Sequence, residues 1–250
     1  MSPIGRAGLM AQARARLAGG GSVILTGPAG IGKSTILDAL ALEATDILVL
    51  RAAAAEAEAE LPYLALVDLL DGAPDAFDLL PAHLRAALDG ALLRSALPAT
   101  AHDQLAVRLA VLELLRALSA ERPLLLVLDD VQWIDEPSAE VLRFVARRLD
   151  GVDVSVLAAE RLADGGAATR LDLCPPPYAE IAVPPMPESD VADLLRTRFG
   201  PEVGRSQLRR VFEASAGNPM YAVELGRALS ARSAMSAPGW QPVATEPLPV

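Results

Sequence analysis

Short apolar runs recur along the chain at 22–26 (SVILT), 46–51 (DILVLR), 124–128 (LLLVL), 154–159 (VSVLAA) and 179–184 (AEIAVP). Each is shorter than an ordinary helix, is rich in Leu, Val or Ile, and is bounded by turn or charged residues, which predicts a strand. Helical patterns fall between them at about 33–44, 62–72, 81–95, 101–120 and 137–149, and a further helix is expected from Leu9 to Leu17, closed by Gly19-Gly20-Gly21. Strands that are apolar on both faces need cover on both faces, and strands alternating with helices supply it in a parallel sheet. The predicted class is α/β.

The stretch 70–105 is longer than a simple crossover requires, and Pro74, Pro81 and Pro98 divide it into what reads as small helices inserted on the flank of the sheet. Residues 53–60, compositionally biased toward Ala and Glu, read as an exposed loop or helical turn. After Pro184-Pro185 only helical patterns remain, Glu188 to Phe199, Gln207 to Ala216 and Pro219 to Ala231, followed by a proline-bearing tail without apolar periodicity. The expected organisation is a core at 1–185, a helical lid at 186–235 and a linker at 236–250.

Composition narrows the function classes. The 250 residues are 52% hydrophobic and 22% charged, too apolar for disorder, while aromatics make up 4%, so Ala and Leu must fill most of the core. A net charge of −10 argues against direct gripping of a nucleic-acid backbone, which needs a basic face. No apolar run approaches the roughly 18 residues of a membrane span. The single Cys174 permits no internal disulfide, and a cytoplasmic setting is expected. The first acidic residue is Asp38, and Arg6, Arg14 and Arg16 precede it, as in an organellar transit peptide; the strand at Ser22 makes a packed helix the better use of that segment.

The chemistry starts at Gly27-Pro28-Ala29-Gly30-Ile31-Gly32-Lys33-Ser34, which satisfies G-x-x-x-x-G-K-[ST] directly after a predicted strand and directly before a predicted helix. Glycines let successive backbone N–H groups turn inward around an anion, and the helix start adds its dipole. Lys33 supplies a mobile charge for the β- and γ-phosphates, and the Ser34 hydroxyl can reach Mg2+. Lys33 is also the one lysine among 22 Lys and Arg residues, consistent with a position that needs a compact ammonium in place of a planar fork.

The run Leu124 to Leu128 ends in Asp129-Asp130. With a phosphate loop in the chain, this strand is expected to lie beside the loop, Asp129 to hold Mg2+ and Asp130 to orient a water. Asp130 is one methylene shorter than the Glu common at such positions, which predicts slow turnover. Arg161 closes the run that begins at Val154; a strand next to the acidic one would bring it near a γ-phosphate, although from spacing alone a solvent-facing arginine is nearly as good a reading. Asp135 could cap the helix that Pro137 opens, with Leu142, Phe144, Val145 and Leu149 on its apolar face and Arg143, Arg147 and Arg148 on a solvated flank or, less simply, offered as a finger to a neighbouring subunit. Trp133 reads as a packing residue. Asn218 and Pro219 read as a cap and first helical residue, His83 and His102 as ordinary surface or capping residues, and Cys174 as a thiol without a catalytic partner.

In this order the pieces resemble the signalling ATPases with numerous domains, a branch of the phosphate-loop family related to AAA+ proteins, and more narrowly the N-terminal ATPase region of the large ATP-binding LuxR-type transcriptional regulators. The resemblance rests on GPAGIGKST at 27–35, VLDDVQWIDEPSAEVLRFVARRL at 127–149, VLAAER at 156–161 and SAGNPMYAVEL at 215–225. It implies ATP or ADP with Mg2+ bound between sheet and helical subdomain: Gly27 through Thr35 on the phosphates, Ile4 and Gly5 on the adenine through their backbone, Pro219 near adenine and ribose, Ser34 and Asp129 on the metal, and Lys33, Asp130 and Arg161 in catalysis, Arg161 as the sensor arginine. The family usually reads Gly-Arg-Glu where this chain has Gly5-Arg6-Ala7. The resemblance also implies C-terminal sensor and helix-turn-helix modules outside these residues, and nucleotide-dependent self-association. The expected function is a slowly hydrolysing nucleotide switch of a transcriptional regulator; a stand-alone phosphotransferase and a nucleotide-binding protein without turnover remain as alternatives.

Overall fold

The computed structural model describes residues 3–94, 104–162, 166–200 and 204–235, with side chains to residue 230. His102 and the linker expected at 236–250 lie outside the described residues.

Five strands form one parallel sheet: β1 (Ser22–Gly27), β2 (Leu48–Ala53), β3 (Leu124–Asp129), β4 (Val154–Arg161) and β5 (Tyr178–Ala182), in the order β2-β3-β4-β1-β5. The helices of this part are α1 (Ala7–Ala18), α2 (Lys33–Glu43), α3 (Leu64–Asp71), α4 (Ala82–Ala91), α5 (Gln104–Glu121) and α6 (Glu136–Ala146). The period of two in a strand sorts its side chains between two cores. Leu124, Leu126 and Leu128 of β3 join Val156 and Ala158 of β4 in the cluster under α3 to α6. The alternate residues Leu125 and Val127 join Val23 and Leu25 of β1 in the cluster under α1 and α2. The α/β class is therefore as expected, and continuous apolar runs are what a sheet covered on both faces demands.

The sheet order differs from one expectation. The acidic strand β3 does not lie beside the loop strand β1, because β4 pairs with both and stands between them. The register of β1 on β4 sets Gly27 opposite Arg161, so the arginine is the residue that flanks the loop directly. A second difference is local. The strand expected at 46–51 runs from Leu48 to Ala53, because Ala52 and Ala53 pair with Leu128 and Asp129 and the ladder overrides the weak strand preference of alanine. Past it, a 3-10 turn at Glu56–Glu58 is exposed.

Between β2 and β3 lie α3, the helix expected at 62–72, then a 3-10 segment at Pro74–Leu79 and α4 within the stretch 70–105. Asp135 caps α6 by accepting the Ser138 N–H, with Pro137 in the first turn. Leu142, Val145 and Leu149 are buried and Phe144 is half-buried, while Arg143 is less solvated than expected because it pairs with Glu136 and Asp172. Cys174 is buried, and burial pushes its thiol up to about 12, which leaves it inert as a nucleophile.

The chain divides into two compact units, Met1–Pro184 and Pro185–Val250. The second holds α7 (Glu188–Phe199), α8 (Arg205–Ser215) and α9 (Pro219–Met235) around Met186, Val191, Leu195, Leu208, Val211 and Ala222. Its corner Gly217-Asn218-Pro219 has a structural logic of its own. Gly217 sits at φ +76°, and a Cβ there would lie 2.4 Å from the carbonyl oxygen of Met186. Asn218 Oδ1 accepts the N–H of Met220 at 3.1 Å and Pro219 opens the helix. No helix among the described residues is long and apolar enough to cross a membrane.

Candidate functional site

The loop between β1 and α2 is built from backbone first. Gly27, Gly30 and Gly32 have φ of +146°, +73° and +102°, conformations that side-chain-bearing residues rarely adopt. Gly27 has a second constraint, since a Cβ would meet the Val183 carbonyl oxygen at 3.2 Å and Ile31 Cγ2 at 3.3 Å. Gly32 stands at the start of α2 and offers no side-chain cap, so the first N–H groups of the helix remain open to an anion. Ile36, Leu37 and Leu40 bury the opposite face of α2 and fix where its N-terminus points.

Lys33 is the first residue of α2 and is 6% exposed. Its Nζ donates to the carbonyl oxygens of Gly27 at 2.9 Å and Pro28 at 3.0 Å, which lays the ammonium along the loop. Burial draws its pKa down from the ordinary lysine value; the negative charges of Asp130 and Asp129 oppose that shift and the positive charge of Arg161 adds to it. Residues from α2, β3 and β4 thus share one electrostatic neighbourhood although β3 is not next to β1. An ammonium held by two loop carbonyls, with charges of both signs nearby, has the chemistry to face a phosphate.

The second half of the site is the end of β3. Asp129 is half-buried, and burial pushes its carboxyl above the usual carboxylate range, against a hydrogen bond from the Ser34 hydroxyl and another from the Asp130 N–H at 2.9 Å. Ser34 and Asp129, expected together on Mg2+, are thus neighbours and bring two hard oxygens to one point, the donor chemistry that ion prefers. Asp130 follows in the left-handed region, φ +51° and ψ +48°, where a non-glycine residue costs about 1 kcal/mol unless its surroundings hold it. The hold is local: Trp133 N–H donates to its carbonyl at 2.9 Å, and Gln132 Nε2 donates to Oδ1 at 2.9 Å.

Ile4 and Gly5 form a turn before α1, and Arg6 behind them is 4% exposed. Its guanidinium donates to the carbonyl of Ile31 in the loop at 3.0 Å and to that of Pro184 at 2.7 Å, so the turn is braced against the loop. Ser34 and Thr35 are exposed on the first turn of α2. Pro219 belongs to the second unit, where it is the first residue of α9.

Several participants carry no signal in the local sequence. Gln132 joins Asp130 to the backbone N–H of Arg161, which it accepts on Oε1 at 2.8 Å. Glu160 is 1% exposed and takes the N–H groups of Thr169 at 3.0 Å and Arg170 at 3.3 Å, together with the Thr169 hydroxyl. Arg6 was readable only as part of the N-terminal segment, since its partners lie far along the chain. Among the described residues no cluster of three or more His, Cys, Asp or Glu forms a separate metal site.

Residues 3–157 match the AAA ATPase domain family. No curated protein matches the sequence significantly. Among solved structures, the Walker-type ATPase PABY2304 of Pyrococcus abyssi superposes with a TM-score of 0.59 at 15% identity, over 90% of this chain and 67% of that one. The Orc1 protein of Aeropyrum pernix, solved in complex with DNA, gives 0.56 at 18% identity over 92% and 60%. A RuvB variant of Thermotoga maritima gives 0.51 at 14% over 93% and 63%. At such identities the likeness is one of fold, and this chain spans about two thirds of those structures or less. The family match itself runs from the N-terminal turn into β4, and on that ground the chain is a member of the AAA ATPase domain family, with a nucleotide-binding phosphate-loop module.

Proposed function

We propose that this chain is the ATP-binding, slowly hydrolysing switch module of a LuxR-type transcriptional regulator. The observation that carries the reading is the convergence of Lys33, Ser34, Asp129, Asp130 and Arg161 on one end of the sheet, beside a loop whose three glycines all take positive φ. In it, residues 27–35 wrap the phosphates, Lys33 exchanges its loop carbonyls for phosphate oxygens, and the backbone of Ile4 and Gly5 meets the adenine. Ser34 and Asp129 would hold Mg2+, which when bound neutralises charge on the β- and γ-phosphates. Asp130 accepts a proton from the attacking water. The water oxygen bonds to the γ-phosphorus, the bond to the β-bridging oxygen breaks, and that oxygen leaves with ADP, giving inorganic phosphate. Arg161 offsets charge on the terminal phosphate and registers its loss. Rearrangement of the helical unit that contains Pro219 is the output, and sensor and DNA-binding modules outside these residues receive it. A cytoplasmic location and nucleotide-dependent self-association belong to the same reading.

The test is calorimetry with ATP and ADP in the presence of Mg2+, together with phosphate release. Lys33→Ala should lower ATP affinity by about a hundredfold or more, since it removes the main counter-charge from a half-enclosed site. Asp130→Asn should keep the affinity and lose turnover by about a hundredfold. Wild-type affinity in Lys33→Ala would overturn the loop assignment. A phosphorylated small molecule in place of free phosphate would convert the reading to a phosphotransferase, and tight binding with no release of phosphate to a switch that works by exchange alone.

A further inference from the structure

Asp130 and Arg161 stand on different strands, and one side chain ties them together. Gln132 gives its Nε2–H to the Asp130 carboxylate at 2.9 Å and takes the Arg161 backbone N–H on Oε1 at 2.8 Å. A backbone N–H can only donate and a carboxylate can only accept, so the carboxamide has a single orientation here, and the bridge needs a group that both donates and accepts at fixed separation. Both ends of the bridge are places that need holding. Asp130 is in the left-handed region at the head of the short turn Val131–Trp133. Arg161 is the exposed last residue of β4, facing Gly27 across the ladder, while its neighbour Glu160 is buried with its carboxylate filled by Thr169 and Arg170. The backbone from which the Arg161 guanidinium extends is therefore pinned on one side by Glu160 and on the other by Gln132.

We propose that Gln132 is a positioning residue that makes Asp130 and Arg161 act as one unit toward the terminal phosphate of the nucleotide. The inference deepens the ATP-switch reading and rests on it. With the amide in place, the acid is aimed at the hydrolytic water and the arginine at the γ-phosphate in a fixed mutual geometry. A change at either strand end is then transmitted to the other through two hydrogen bonds.

The experiment uses the full chain, wild type, Gln132→Ala, Gln132→Glu, Arg161→Ala and the double variant Gln132→Ala/Arg161→Ala. Affinities for ADP and for a non-hydrolysable ATP analogue are measured with Mg2+, alongside kcat and KM for ATP. Gln132→Ala should lower the preference for the triphosphate over ADP about fivefold, toward the value of Arg161→Ala, with ADP affinity held within about twofold and kcat down about tenfold at similar KM. The double variant should lose no more preference than Arg161→Ala alone, because once the guanidinium is gone Gln132 has nothing left to position toward the terminal phosphate. Gln132→Glu keeps the size of the side chain and the acceptor for Arg161 N–H but sets a like charge against Asp130, so it should lower kcat more than it lowers the preference.

Gln132→Ala with wild-type preference and wild-type kcat would overturn the coupling. So would full additivity in the double variant, or an equal loss of affinity for both nucleotides, which a packing role predicts. If wild type binds without turnover, the affinity ratio alone decides. If wild type binds neither nucleotide, the ATP-switch reading falls and the coupling with it; binding and hydrolysis by wild type with indifferent variants sinks the coupling alone.

Discussion

Within one short segment the chain sets carboxylates to opposite uses. Asp135 is 3% exposed, and its two oxygens receive the N–H groups of Tyr63 at 2.7 Å, Ala65 at 3.1 Å and Ser138 at 2.9 Å, so one side chain secures the starts of α3 and α6. Ser138 adds to this by accepting the Leu66 N–H on its hydroxyl at 3.2 Å. Asp129, at the end of β3, is buried enough for its carboxyl to be pushed up, and among the described residues it receives the Ser34 hydroxyl and the N–H of its neighbour. The difference is one of saturation. A buried carboxylate whose lone pairs are filled by backbone donors holds the fold, whereas one that is desolvated with few donors is ready for a cation.

The contrast is sharpest in stability. Asp135→Ala strands three backbone donors and uncaps two helices, and should destabilise by about 3 kcal/mol or more, read from urea unfolding at pH 7. Asp129→Asn should act in the other direction when nucleotide and magnesium are absent. Because burial raises its pKa, the folded chain keeps that proton to a higher pH than the unfolded chain, so wild-type stability falls as pH rises from the ordinary carboxylate value through the raised one. The asparagine variant escapes that loss. It should resist urea better than wild type at pH 7, with the advantage gone below the ordinary carboxylate range, while the magnesium-dependent part of nucleotide affinity drops about tenfold. Equal or lower resistance at pH 7 would show that the site does not store this cost. The smallest effect belongs to Glu43, which pairs with Arg14 at 2.6 Å on the surface, both side chains about half exposed. Glu43→Ala should leave the unfolding midpoint within replicate scatter, since water screens such pairs.

What the sequence made legible follows the range of each interaction. The phosphate loop is written in adjacent residues, Gly27 to Ser34, and the strand before it and helix after it are patterned locally. Asp135 as the cap of α6 is an i to i+3 relation and could be read from Asp135, Pro137 and Ser138. Its reach to Tyr63 and Ala65 spans some seventy residues and leaves no local trace. The same holds for Gln132 on Arg161 and for Arg6 on Ile31 and Pro184. The Arg161 strand does stand next to β3 as expected, but the expected place of β3 beside the loop strand failed for the same reason. Nothing in Leu124 to Leu128 tells whether β1 also will pair with it, because the backbone edge of an apolar strand suits either partner.

The placement of β1 has a consequence for biosynthesis. Its ladder partners are β4 and β5, with Val23 opposite Leu157 and Ala179. As the polypeptide leaves the ribosome, the nucleotide loop emerges early on a strand that has nothing to pair with until most of this unit has been made. The interval exposes an unpaired hydrophobic edge, the situation that recruits holding chaperones and slows folding by non-local contacts. A competent cradle therefore comes late, when the later strands β4 and β5 close around the strand that precedes them in this unit.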